Sequence, residues 1–160
     1  MHLLNNPVAI LFLSFAFGVV ADPLLRRTTN YNWLSTRYLF SNLKAYENLG
    51  VLWFRKILLA TPFGKLNNKI CFTRNRDLKI LKGIREHIAT AEVSHWVGFV
   101  TMLALTVWAW WYHGSRVGLA CLVLNIIGNL YPCMLQQYNK RRLFKVISVL
   151  EQRDSVGHTD

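Results

Sequence analysis

Glu92 and His95 stand three residues apart at the head of an apolar run, in Thr90-Ala91-Glu92-Val93-Ser94-His95-Trp96. On a helix this spacing puts both on one face. A neutral imidazole can take a proton from a hydroxyl, and a carboxylate beside it can orient the ring and stabilise the imidazolium. The same pair at the mouth of a membrane span reads equally well as anchors that reach for the interface. A second polar set, Asn125, Asn129, Gln136 and Asn139, recurs at helical intervals along a later run that ends in Lys140-Arg141-Arg142. For Asn125 the simple reading is hydrogen bonding between helices. Asn129 sits close to Tyr131-Pro132, where the proline removes a helical hydrogen bond, and its carboxamide suits a carbonyl oxygen or a sugar hydroxyl. Lys140-Arg141-Arg142 reads first as a stop-transfer signal that pairs with acidic lipid. Arg142 also falls three residues beyond Asn139, on the same helical face.

These residues need two membrane-length helices to position them. Residues 93–112 and 117–135 are each close to the ~20 residues that cross a bilayer as a helix. The break between them, His113-Gly114-Ser115-Arg116, is short enough to force an antiparallel hairpin. The start of the first helix and the end of the second then lie on one membrane face. That brings Glu92 and His95 toward Asn129, Gln136, Tyr138, Asn139 and Arg142, the expected working end.

Composition agrees with a membrane protein: 52% apolar residues, mean hydropathy +0.21, six Trp and nine Phe. A net charge of +11 and a pI near 10.0 raise nucleic acid as a partner, but the charges flank apolar spans and argue against it. A further apolar run, residues 7–21, has no charged residue. Val19-Val20-Ala21 could pass as a signal-peptide cleavage site, yet the basic leader is missing and Arg26-Arg27 follow the run. A retained span with its N-terminus outside is the preferred reading. Residues 22–92 carry thirteen Lys and Arg against five acids, the turn after residue 112 only Arg116, and residues 136–160 five bases against three acids. A cytoplasmic middle region and tail satisfy the positive-inside rule at every loop.

Within the middle region, Trp33 to Gly50 has amphipathic helical character, with Leu34, Tyr38, Leu39, Leu43 and Tyr46 on one face. Residues 50–62 are too few to span and contain Arg55-Lys56, so they belong in the headgroup plane or re-enter the membrane, with Trp53 and Phe54 as wedges. Pro62 and Gly64 end that segment. Asn67 to Arg85 reads as a basic connector, Asp77 to Ala91 as a helix leading into the second span, and the residues after Glu151 as a frayed tail. Cys71, Cys121 and Cys133 lack the spacing of a metal site or redox pair. His2, His87, His113 and His158 show no partner pattern, and no metal is expected.

Ala91-Glu92-x-x-His95-Trp96 and Gln136-x-Tyr138-Asn139-x-x-Arg142-Leu143 resemble the two signature blocks of a family of small bacterial membrane acyltransferases. The family is that of glycosyl-4,4'-diaponeurosporenoate acyltransferase, which places a fatty acyl chain on the sugar of a carotenoid glycoside. Tyr46-Glu47-x-x-Gly50 and Trp53-Phe54, followed by Pro62, resemble a third, weaker block. The resemblance covers roughly residues 30 to 145. Gln137 and Lys140 stand where the pattern has arginines, and Tyr131 is inserted into Asn129-Leu130-Pro132.

The expectation is therefore a single all-α membrane domain over residues 1–160. It has three transmembrane helices (7–21, 93–112, 117–135), one interfacial or re-entrant helix (50–62) and cytoplasmic segments at 22–92 and 136–160. The resemblance implies O-acyl transfer from a thioester, carried on pantetheine, to a hydroxyl of a membrane glycolipid or glycosylated carotenoid. No further cofactor is expected. His95 is the expected general base and Glu92 its orienting group, with Asn129 or Asn139 supporting the oxyanion. Arg142 and Lys140 are expected to hold phosphate or pantetheine, and Gln136 and Tyr138 to contact substrate. The expected location is the bacterial inner membrane, with the site on its cytoplasmic face. A non-catalytic scaffold or lipid-binding subunit, whose polar cluster only packs helices, is the alternative.

Overall fold

The computed structural model describes residues 6–28, 36–62 and 77–156. All the regular structure among them is helical: α1 Pro7–Leu25, α2 Leu43–Asn48, α3 Val51–Ala60, α4 Leu78–His113, α5 Ser115–Asn125 and α6 Tyr131–Val156. A π-helical turn, Ile126–Leu130, joins α5 to α6. Three continuous helical stretches are long and apolar enough to cross a membrane: Pro7–Leu25, Leu78–His113 and Ser115–Arg153. This is an all-α membrane protein.

Local chemistry sets the ends of these helices. Asn6 caps α1, its Oδ1 accepting from the Val8 N–H at 2.9 Å, and Pro7 follows where a missing N–H costs nothing. Gly114 alone separates α4 from α5, and its φ of 86° lies where a side chain would be strained. Gly50, with φ 77°, makes the corresponding corner between α2 and α3. The proposed connector is helical from Leu78, and α4 runs on as one 36-residue helix of about 54 Å. That is well over the ~30 Å of bilayer hydrocarbon.

Three boundaries differ from expectation. The first helix continues to Leu25, through Pro23. The last continues to Val156, so it does not fray after Glu151. Among the described residues of the amphipathic segment from Trp33 to Gly50, Thr36 and Leu43–Asn48 are helical and residues 37–42 are not; residues 29–35 lie outside the described set. Asn42 is the reason the helix starts late: its Oδ1 caps the Ala45 N–H at 2.8 Å. Before it, the Leu39 and Phe40 N–H groups donate to side chains, to Gln137 Oε1 at 2.9 Å and to the Tyr46 hydroxyl at 3.3 Å.

Contacts divide the chain into two compact units, residues 1–37 with 90–134 and residues 38–89 with 135–160. The first is a bundle of α1, the second part of α4, and α5 with the π turn. Its apolar core is Ile10, Met102, Ala109 and Cys121, flanked by Leu11, Leu105 and Trp108. Cys121 is thus a packing residue, and neither it nor Cys133 is in a disulfide. Small residues let the helices close, as is usual where lipid removes the hydrophobic drive. A Cβ on Gly18 would strike the Ser94 carbonyl oxygen, one on Gly128 would meet Leu11 Cδ1 at 2.7 Å, and one on Gly118 would meet Trp110 Cε3 at 2.6 Å. Outside, Phe12, Phe17, Val20 and Trp111 are exposed, as lipid-facing side chains are.

In the second unit the first part of α4 packs on the far part of α6 through Leu81, Ile88, Leu143 and Ile147. An exposed ion pair, Lys82 to Glu151 at 2.8 Å, marks the same contact. At ten residues, about 15 Å, α3 is too short to span. Trp53 on α3 is 69% exposed and Ile57, one turn on, is exposed too, whereas the neighbouring Phe54 is half-buried.

Candidate active site

Pro132 accounts for the backbone around Asn129. A proline there has no N–H to give the Gly128 carbonyl, and its ring crowds that carbonyl in a regular α-helix. The chain widens by one residue instead, with the Tyr131 N–H donating to Ile126 O across a π turn. Asn129 lies inside this turn and is fully buried.

Its carboxamide belongs to a chain of directed hydrogen bonds. Asn125 Nδ2 donates to the Phe99 carbonyl at 3.0 Å, and Asn129 Nδ2 donates to Asn125 Oδ1 at 2.9 Å. Asn129 Nδ2 also meets Ser14 Oγ at 3.4 Å and Met102 Sδ at 3.8 Å. The Ser14 hydroxyl itself donates to Leu11 O at 2.7 Å. Asn129 Oδ1 has no such partner. It rests against Gly98, where an added Cβ would lie only 2.7 Å from it.

His95 is one turn before Gly98 on α4. The carboxamide of Asn129 is within hydrogen-bonding reach of its ring, and Nδ1 is a buried nitrogen with no bond of ordinary geometry. The edge of the ring packs against Phe15, with centroids 5.4 Å apart and planes at 76°. Glu92, one turn earlier, is 0% exposed. Near the end of α1, Asp22 binds Arg26 at 2.8 Å, and Arg26 also reaches the Thr90 hydroxyl. The first unit thus brings His95 and Asn129 together and adds Ser14 and Phe15, which the sequence reading passed over. Ser14 carried a signal all the same: it is the one hydroxyl residue in the uncharged run of residues 7–21.

The remaining sequence-derived residues lie in the second unit, where two sequence blocks meet. Tyr138 donates its hydroxyl to Glu47 Oε1 at 3.1 Å, and Tyr46, fully buried, donates to Gln137 Oε1 at 2.8 Å. The Arg142 guanidinium lies 5.8 Å from the Tyr138 ring centroid. Gln136 and Asn139 are buried, and Gln136 Oε1 has no partner. Lys140, 2% exposed, lies 4.6 Å from the centroid of Tyr38, and Arg141 lies 4.0 Å from it. Arg141 further holds the carbonyls of Phe40 and Ser41 at 2.7 and 2.9 Å. Gln137, Tyr46 and Arg141 organise this unit, although none of them was assigned a role at the site from sequence. Gln137 accepts from both Leu39 and Tyr46, which an arginine, having no acceptor, could not do. Among the described residues no cluster of His, Cys, Asp or Glu gathers to hold a metal.

Two motif blocks held together by Tyr46–Gln137 and Glu47–Tyr138 set the frame for comparison with known proteins. The family model for glycosyl-4,4'-diaponeurosporenoate acyltransferase matches residues 29–149. The chain belongs to this family. It is an acyltransferase, and its three apolar helices are those of a membrane enzyme. No curated protein and no solved structure matches it. The matched region begins after α1, so Ser14 and Phe15 reach the His95 and Asn129 side chains from outside the matched residues.

Proposed function

We propose that the protein is a membrane O-acyltransferase that moves a fatty acyl group from a thioester on a pantetheine carrier to a sugar hydroxyl of a glycosylated carotenoid or similar glycolipid. His95 is the general base. The hydroxyl oxygen attacks the thioester carbonyl carbon as the imidazole takes its proton. The tetrahedral intermediate then collapses, the C–S bond breaks, and the imidazolium returns the proton to the leaving sulfur. An ester and a free thiol result. Glu92, one helical turn away and removed from water, stabilises the imidazolium while it carries that charge.

The observation that supports this reading most directly is His95 itself: an imidazole held edge-on to Phe15 beside a buried carboxamide, in a chain of an acyltransferase family. Tyr138, Asn139, Gln136 and Arg142 are assigned to the polar parts of the substrates. Arg142, beside the Tyr138 ring, suits the phosphate of the pantetheine donor, whereas Lys140 is largely committed to the protein interior. Trp53 on α3 is assigned to the membrane interface, where it meets lipid beside Lys56.

Lipid mass spectrometry of cells with and without the gene tests the activity. An acylated glycolipid should be present only with the gene, and a lipid profile unchanged across carotenoid and glycolipid acceptors would remove the proposed reaction.

The enzyme is assigned to the inner membrane with its N-terminus outside and residues 22–92 and 136–160 in the cytoplasm, on the strength of the basic middle region. In a background without native thiols, a membrane-impermeant reagent added outside should label Ser115→Cys in the α4–α5 turn. It should spare Asn75→Cys, which lies outside the described residues. The reverse pattern would invert the orientation and move His95 toward the outer face.

A further inference from the structure

We infer that Asn129 is a positioning residue for His95: its Oδ1 accepts the Nδ1 proton, fixes the ring in one tautomer, and leaves the lone pair on Nε2 to take the proton of the acceptor hydroxyl. The inference rests on the reading of His95 as the base. It gives Asn129 a role different from oxyanion support, which needs a donor.

The orientation of the Asn129 amide follows from its neighbours. Amide oxygen and nitrogen are told apart by the hydrogen bonds around them. The Phe99 carbonyl can only accept, so Asn125 must turn Nδ2 toward it. Asn125 Oδ1 is then left facing Asn129, which must answer with Nδ2. Ser14 spends its proton on Leu11 O and faces Asn129 as an acceptor. The Asn129 N–H groups are thereby directed into the bundle, and the only group it has left to offer is Oδ1.

Oδ1 is buried with no donor. It lies over Gly98, whose missing side chain opens the space between Asn129 and the α4 turn that carries His95. On His95 the corresponding orphan is Nδ1, also buried. An acceptor without a donor and a ring nitrogen without a partner, on side chains within reach, complete each other when the imidazole turns Nδ1 toward Oδ1. The hydrogen bond made by one ring nitrogen decides which nitrogen carries the proton. The π turn is what holds Asn129 in this place, and Phe15 limits the tilt of the ring from the other side.

The test is 15N NMR of ring-labelled histidine in the purified full chain, with the His95 signals identified by their loss in His95→Gln. Neutral His95 should be protonated at Nδ1 and bare at Nε2. An Nε2–H ring, or averaging between the two forms, would overturn the inference in the unmodified protein, whatever becomes of any variant. Asn129→Leu should release the tautomer and lower kcat about tenfold or more with KM little changed, because an interaction made in the transition state is lost. Asn129→Asp keeps an acceptor and should hold both the tautomer and more of the rate than leucine does. Wild-type kcat in Asn129→Leu would also overturn the positioning role. Full activity of His95→Gln would remove the base assignment and leave the spectrum of the native ring as it was, so the two failures are distinguishable.

Discussion

His95→Gln is expected to lower acyl transfer by about 100- to 10,000-fold, the usual contribution of a general base, while the protein still inserts in the membrane. Glutamine keeps polarity and approximate size but cannot cycle a proton. The ring makes one aromatic contact, to Phe15, and reaches the Asn129 carboxamide, so its loss should cost little stability. Glu92→Gln should be milder, since an amide still accepts hydrogen bonds and gives up only the charge that steadies the imidazolium. The measurement is acyl transfer by each variant, normalised to folded protein in detergent. A fully active His95→Gln enzyme would end the base assignment. An inactive Glu92→Gln beside an active His95→Gln would make the carboxylate the base.

Gly18→Leu is expected to destabilise the first unit by about 1–3 kcal/mol or more, the range for forcing volume into a closed contact. The obstacle is the Ser94 carbonyl oxygen, with its carbon 3.2 Å from the built Cβ. Backbone cannot rotate aside as a side chain can. Helix α1 must move off α4, and Ser14 and Phe15 move with it, away from Asn129 and His95. Activity should therefore fall together with the unfolding temperature in detergent. Gly83→Ala is the control: nothing lies within 4 Å of its added methyl group. That substitution should gain roughly 0.5–1 kcal/mol from the lower backbone entropy of alanine in a helix. Equal stability of Gly18→Leu and the parent protein would show that α1 does not close on α4 at this point.

The membrane spans were legible because hydropathy reports them directly: a bilayer demands ~20 apolar residues in a row, and residues 93–112 and 117–135 supply them on either side of Gly114. Signature residues were legible too, since Glu92-x-x-His95 and Tyr138-Asn139-x-x-Arg142 are local patterns. The role of Asn125 followed from the rule that a lone carboxamide in a span seeks another helix, and it binds the Phe99 carbonyl. Contacts made between distant stretches of chain left no local trace. Nothing in the periodicity of Leu34, Tyr38, Leu39, Leu43 and Tyr46 announces that Gln137 and Tyr46 will draw off the Leu39 and Phe40 N–H groups and keep residues 37–42 out of a helix. Ser14 went unremarked for a related reason: a hydroxyl in a span most often bonds its own preceding turn, as Ser14 does with Leu11 O. Its second contact, to Asn129, depends on how two helices meet.

Tyr131 separates Leu130 from Pro132 at the end of the π turn. One extra residue in an unbroken α-helix would turn everything downstream by about 100°, since 3.6 residues make a full turn. The Ile126–Leu130 π turn takes up that residue locally, closing Tyr131 N–H onto Ile126 O in place of a four-residue ring. A span is ordinarily the part of a chain least tolerant of length variation, because it has no loop in which to hide a residue. Here the proline that already weakens the helix gives this chain such a place: a π turn holds one more residue per turn than the α-helix on either side of it.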